Sequence, residues 1–193
     1  FGRTFSMADD QRHGREPLYD CIDAKRWLAS NVEWVDPERI GILGGSYGGY
    51  MVMAALAFAP DEFAVGVDIF GVTNWVRTLE NTPPWWESFK QALYREIGNP
   101  ETQKDLLYEI SPLFHAENIR RPVIILQGAN DPRVLKVESD EMVEKIRASG
   151  GTVEYILFED EGHGFTKTAN RIRGWNAILE FLERHLKGGA SQA

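Results

Sequence analysis

Four stretches of the chain are apolar almost without a break, and longer segments with helical spacing separate them. The apolar runs cover residues 39–43, 63–70, 122–128 and 152–158. Runs this short, bounded by Gly, Pro and Asp, predict strands buried on both faces. Residues 17–31 predict a helix, with Pro17 in its first turn and Leu18, Cys21, Ile22 and Leu28 on one face. A second helix follows the first strand and ends before Pro60. Two more are expected over 137–149 and 170–186, the last carrying Trp175, Ile178, Leu179, Leu182 and Leu186 as a stripe. Asp36-Pro37 reads as the turn into the first strand, residues 1–16 as a polar loop, and residues 188–193 as a frayed tail. Strands alternating with helices predict the α/β class, a mostly parallel sheet with helices on both faces.

Between the second and third strands lies a long excursion, about 74–121. It contains Pro83-Pro84-Trp85-Trp86 and a predicted helix over 90–97. An insertion this long within a compact unit is usually a lid or pocket wall. Trp85 and Trp86 fit two roles equally well: lining an apolar pocket, or packing the insertion onto the sheet.

With 193 residues and 43% hydrophobic content, the chain can bury one domain core. A net charge of -8 argues against nucleic-acid binding, which calls for a basic stripe. The single cysteine, Cys21, excludes an internal disulfide and reads as a buried bystander. No apolar run approaches the ~18 residues of a membrane span, so no membrane partner is expected. The chain opens on Phe1, so we expect an interior piece of a longer gene product, and the compartment stays open.

The chemistry concentrates at Gly44-Gly45-Ser46-Tyr47-Gly48-Gly49, set between the first strand and its helix. A Gly-x-Ser-x-Gly in that setting is the nucleophile elbow of an α/β-hydrolase. The turn strains the serine backbone, and Gly44 and Gly48 are expected to be required because side chains there would collide with neighbouring backbone. The spacing is neither Gly-x-Gly-x-x-Gly nor a Walker loop. A serine nucleophile needs a base and an acid, which in this fold follow in the order Ser, Asp or Glu, His, on loops after strands. His163 lies past the fourth strand between glycines. His13, His115 and His185 read as solvated or structural, His185 on the exposed side of the last helix. Asp131 emerges at the end of the third strand with Pro132 fixing the turn. Asp68 lies within its strand, and Asp160 and Glu161 are expected to be solvated loop charges. No ligand spacing suggests a metal, and no cofactor is expected.

Gly-Gly-Ser-Tyr-Gly-Gly-Tyr-Met, Gln-Gly-Ala-Asn-Asp-Pro-Arg-Val and Asp-Glu-Gly-His-Gly-Phe together resemble the prolyl oligopeptidase family, nearest its acylaminoacyl peptidase and dipeptidyl aminopeptidase branch. The likeness runs from Phe1 through the terminal helix and includes Ser111-Pro112-Leu113-Phe114-His115-Ala116. It implies a catalytic triad of Ser46, Asp131 and His163, with the Tyr47 N–H in the oxyanion hole. Arg133 would hold a substrate carbonyl, and Val134 would line the primary pocket. The implied reaction is hydrolysis of short peptides near their amino terminus through an acyl-enzyme. In that family, earlier strands, a His-Gly-Gly oxyanion segment and a β-propeller precede the region that begins at Phe1. The chain is therefore expected to be the carboxyl-terminal part of the hydrolase domain, lacking the early strands and either self-associating through an exposed sheet edge or pairing there with a missing segment. An esterase or other acyl hydrolase is the rival reading, and an inactive fragment that self-associates is a third.

Overall fold

The computed structural model describes residues 2–187, so the tail expected at 188–193 lies outside the described residues. Strands β1 (Ile42–Gly45), β2 (Gly66–Ile69), β3 (Val123–Gly128) and β4 (Val153–Phe158) form one parallel sheet in sequential order. The register sets Gly44 against Asp68, Asp68 against Ile125 and Ile125 against Tyr155. All four carboxyl ends therefore open on one edge, where loops from different strands can meet.

Alternate residues of β3 show why the strands are largely apolar. Val123 and Ile125 pack with Val52, Met53 and Leu56 of α3 (Tyr47–Phe58) and Met142, Val143 and Ile146 of α7 (Lys136–Ala148). Ile124 and Leu126 face the other way, onto Ile178 and Phe181 of α8 (Thr168–Leu186). A strand covered on both faces favours apolar side chains on each, and the buried Gln127 near the end of β3 is kept by its partners, donating to Val134 O at 3.1 Å and accepting from the Ser139 hydroxyl at 2.8 Å. Helix α3 is itself wrapped, with every residue from Gly49 to Ala57 buried. Its far side meets α2 (Glu16–Asn31) through Leu18 and Ile22, and the 74–121 segment through Trp75, Leu79 and Leu107.

That segment folds as α4 (Trp75–Glu80), a 3₁₀ turn over Pro84–Phe89, α5 (Lys90–Glu96), α6 (Lys104–Glu109) and a second 3₁₀ stretch over Pro112–Asn118. Glu138 of α7, only 1% exposed, anchors its root. The carboxylate accepts from Thr73 N–H at 2.9 Å, Asn74 N–H at 2.7 Å and the Arg77 guanidinium at 3.1 Å. Trp85 stays 58% exposed and Trp86 is half-buried, so Trp85 does not pack the insertion onto the sheet.

Several expectations shift in detail. β1 starts three residues later than the apolar run because Pro37–Arg39 forms a 3₁₀ turn, with Asp36 Oδ1 accepting from Glu38 N–H at 3.0 Å. The strand then continues through Gly44-Gly45 to the serine. β2 ends before Phe70, which turns to φ 46. The polar leader is not all loop, since α1 covers Arg3–Ser6. On α8 the buried line is Gly174, Ile178 and Phe181, while Trp175 and Leu179 are exposed. His185, expected on the exposed side, is half-buried with its ring 4.5 Å from Phe181. Cys21 is half-buried at the core margin, where burial and then Asp20 push its thiol up. No helix among the described residues is long and apolar enough to cross a membrane.

Candidate active site

The carboxyl edge of the sheet gathers three loops. At the end of β1, Ser46 adopts φ 58 and ψ −118, a conformation that strains a residue with a β-carbon. The turn is held by Ser46 N–H donating to Ile69 O at 2.9 Å and Tyr50 N–H donating to Ser46 O at 3.0 Å. A β-carbon at Gly44 would fall 2.3 Å from Gly48 O, so that glycine is required as expected. At Gly48 a β-carbon would meet nothing within 4 Å, which corrects the expectation for that position. The second tight glycine is Gly49, where a β-carbon would lie 2.3 Å from Asp68 Oδ1 and 2.6 Å from Gly71 Cα. The helix presses its first turn onto β2's exit, and that approach is a tertiary contact.

The loop after β3 presents Asp131, and the loop after β4 presents His163. Ser46 Oγ lies 3.1 Å from His163 Nε2, and His163 Nδ1 lies 2.7 Å from Asp131 Oδ2. Asp131 is 4% exposed, and its Oδ1 accepts from the N–H groups of Arg133 at 2.8 Å and Val134 at 2.9 Å. Ionised, the carboxylate can only accept, so Nδ1–H donates to it and Nε2 is left to accept the serine proton. The structure thus brings together the three side chains that sequence order singled out.

The Asp131 and His163 loops are locked to each other. Asn130 N–H donates to Glu161 O at 2.9 Å, and the Asn130 amide donates to Glu159 O at 2.7 Å. Gly128 permits this approach, since a β-carbon there would sit 2.3 Å from Gly162 O. Glu161, expected as a solvated charge, is 3% exposed. It accepts from Thr166 N–H at 3.0 Å, Lys167 N–H at 2.9 Å and the Asn170 amide at 2.9 Å. Burial alone would raise this carboxyl, but those donors outweigh it and hold it at about 2. Glu161 therefore ties the His163 loop to the start of α8. Asp160 beside it is exposed, as expected, and pairs with Lys167.

Two residues at the end of β2 add to the site: Phe70, which the sequence did not mark, and Asp68, which it set aside as lying within its strand. Phe70, at φ 46, sets its ring 4.6 Å from His163 and 5.5 Å from Phe165. Nothing local marks it, because its turn exists only against the neighbouring loops. Asp68 is fully buried below the elbow, with Oδ1 accepting from Gly71 N–H at 2.8 Å and Oδ2 without a partner among the described residues. Burial, only partly offset by the Gly71 bond, raises its carboxyl to about 7. An aspartate inside an apolar strand was the available signal. It does not reach His163, which bonds Asp131.

Arg133 is exposed, and its guanidinium has no partner among the described residues. Val134 is buried in the apolar cluster that includes Val72, Trp75 and Tyr50. Tyr47, the first residue of α3, is 37% exposed. Its phenol contacts buried His13, while His115 packs 5.2 Å from Phe58.

A strained serine, an aspartate and a histidine at the carboxyl ends of parallel strands recur in many hydrolases, and comparison with known proteins narrows the field. Residues 1–189 match the prolyl oligopeptidase family. The chain belongs to that family. Among its relatives, dipeptidyl aminopeptidase BIII of Pseudoxanthomonas mexicana is 42% identical, with 98% of this chain and 28% of that protein covered. Dipeptidyl peptidase family member 6 of Caenorhabditis elegans is 37% identical over all of this chain and 26% of its own length. Among solved prolyl oligopeptidase-like structures, a Mycobacterium tuberculosis puromycin-hydrolyzing peptidase superposes with a TM-score of 0.90 at 30% identity, covering 100% of this chain and 28% of that one. Pyrococcus horikoshii acylaminoacyl peptidase gives 0.88 at 25% identity, covering 100% and 31%. The chain thus spans between a quarter and a third of the length of these family members.

Proposed function

We propose that residues 1–193 are the carboxyl-terminal part of an α/β-hydrolase catalytic domain, with the insertion at about 74–121, and that they carry the hydrolytic centre of a serine peptidase. One observation carries the reading: the unbroken line from Ser46 Oγ to His163 at 3.1 Å and from His163 to Asp131 at 2.7 Å. Ser46 attacks the scissile carbonyl as its proton passes to His163 Nε2. Asp131 fixes the imidazole tautomer and stabilises the imidazolium. The proton then goes to the leaving amine, and water enters by the same route to release the acyl group. The Tyr47 N–H, at the start of α3, donates to the developing oxyanion. Arg133, exposed and unpaired among the described residues, is suited to hold a substrate carbonyl, and Val134 to line the primary pocket.

Short peptides cut near the amino terminus are the substrate class, by analogy with the dipeptidyl aminopeptidase relatives. If the second oxyanion donor lies outside these residues, turnover of the chain alone falls by about 10²–10³. Among the described strands β1 pairs only with β2, and Leu43 on it is 50% exposed. We infer that copies self-associate through this edge. Sedimentation as a monomer at high concentration would contradict that inference.

The reaction is tested by comparing a dipeptidyl nitroanilide with a nitrophenyl ester, on wild type and Ser46→Ala. Amide hydrolysis that vanishes in S46A is expected. Turnover of the ester alone would make the chain an acyl hydrolase, and turnover of neither would make it an inactive piece.

A further inference from the structure

His13 is 2% exposed, although it lies in a polar stretch between α1 and α2. Its Nδ1 is in hydrogen-bond contact with the phenol oxygen of Tyr47, and the two rings meet edge-on at 5.5 Å between centroids. The Tyr47 ring also leans on Tyr50 at 5.4 Å and Trp75 at 6.2 Å. Burial, then Asp9, Glu96 and Cys21, push the Tyr47 phenol above its ordinary range, so it keeps its proton, and the hydroxyl can donate to Nδ1 or accept from Nδ1–H. In either tautomer the other ring nitrogen, Nε2, needs a partner of its own. That Nε2 is buried and has no partner among the described residues. Among the described residues the ring is therefore oriented by a single polar contact, the one to Tyr47.

Tyr47 is no ordinary neighbour. Its backbone N–H belongs to the peptide group that leaves Ser46, and Ser46 is held at φ 58 and ψ −118. A strained turn persists only where its surroundings over-determine it. Rotation about Ser46 ψ would relieve the strain, and it would swing the Tyr47 N–H away from any oxyanion. A Tyr47 side chain clamped at its far end resists that rotation.

We propose that His13 is a positioning residue for the oxyanion donor, holding the Tyr47 ring and with it the Ser46–Tyr47 peptide group. The proposal rests on the reading that Ser46 is the nucleophile. It assigns a function to a histidine that does not touch the substrate and lies 33 residues before the serine.

The test uses His13→Ala, His13→Gln, Tyr47→Phe and the His13→Ala/Tyr47→Phe double variant. A donor aimed at the transition state affects kcat and leaves KM nearly unchanged. H13A and Y47F should each lower kcat about tenfold, and the double variant should be no worse than either, because both remove one contact. H13Q, whose amide can still meet the phenol, should recover most of the loss. Multiplicative losses in the double variant, or a rise in KM at constant kcat, would overturn the proposal. Should H13A not fold, Y47F keeps the ring and removes only the hydroxyl, and H13Q supplies the comparison. Failure of the Ser46 reading is told apart by the Tyr47 amide itself, observed by NMR without substrate. Its chemical shift and exchange protection should change in Y47F and be restored towards wild type in H13Q. An amide that is the same in all folded variants would overturn the clamp whether or not the chain turns over substrate.

Discussion

Replacing Asp68 by Asn should flatten the pH dependence of stability without disturbing the elbow. The carboxyl is fully buried, faces no cation among the described residues, and is raised from 3.8 to about 7. A folded-state value above the unfolded one means that the folded protein binds the extra proton between those limits. Stability therefore falls as pH rises from 3.8 to about 7 and stays reduced above that. At 1.36 kcal/mol for each tenfold change in proton affinity, the full loss is about 4 kcal/mol. Less than half of it is already lost at pH 5, so about 2–3 kcal/mol falls between pH 5 and pH 8. In Asp68→Asn the carbonyl oxygen can keep the Gly71 N–H bond. The new NH₂ inherits the unpartnered position of Oδ2, which costs about 1–3 kcal/mol at every pH. The absolute stability of the variant is thus a poor readout, and the difference between two pH values is a good one. Urea unfolding of both proteins at pH 5 and pH 8 supplies it. Wild type should lose about 2–3 kcal/mol more than Asp68→Asn on going to the higher pH. Equal losses would refute the reasoning and imply a compensating partner for the charge.

Gly48→Ala should be tolerated and change stability by less than about 1 kcal/mol, while Gly44→Ala and Gly49→Ala should unfold the elbow, as seen in thermal melts. Asp131→Asn should fold normally and lower kcat by about 10⁴, because an amide can hold the wrong imidazole tautomer; a loss below tenfold would remove Asp131 from the mechanism. Glu161→Gln should slow acylation of Ser46 by loosening the His163 loop. Because the Glu161 carboxyl is held at about 2, its contribution is present above 4.5 and lost as pH falls from there. The wild type and variant melts should therefore converge at low pH, and a gap that persists at pH 2 would contradict this.

The strands were legible because a parallel strand covered on both faces is largely apolar, as Val123 to Leu126 are. The serine, aspartate and histidine were legible because the fold presents them at strand ends, which apolar runs mark. What stayed hidden depended on contacts between distant segments. Gly49 and Gly48 look equivalent in sequence, and only the approach of Asp68 and Gly71 separates them. Glu161 sits in an acidic run that reads as solvated, until the N–H groups of Thr166 and Lys167 fold back onto it. His13 looks like a leader residue because its partner, Tyr47, lies on another element. On α8, helical spacing put Trp175 and Leu179 on the apolar stripe, but the face that packs on the sheet is rotated to bury Phe181 with Ile178 and leave those two exposed.

The central claim is that Ser46 is activated by His163 and Asp131. Treatment with a fluorophosphonate probe, followed by peptide mass mapping, tests it most directly. One adduct is expected, on Ser46, absent in Ser46→Ala and strongly reduced in His163→Ala. An unlabelled chain, or labelling that persists in Ser46→Ala, would contradict it.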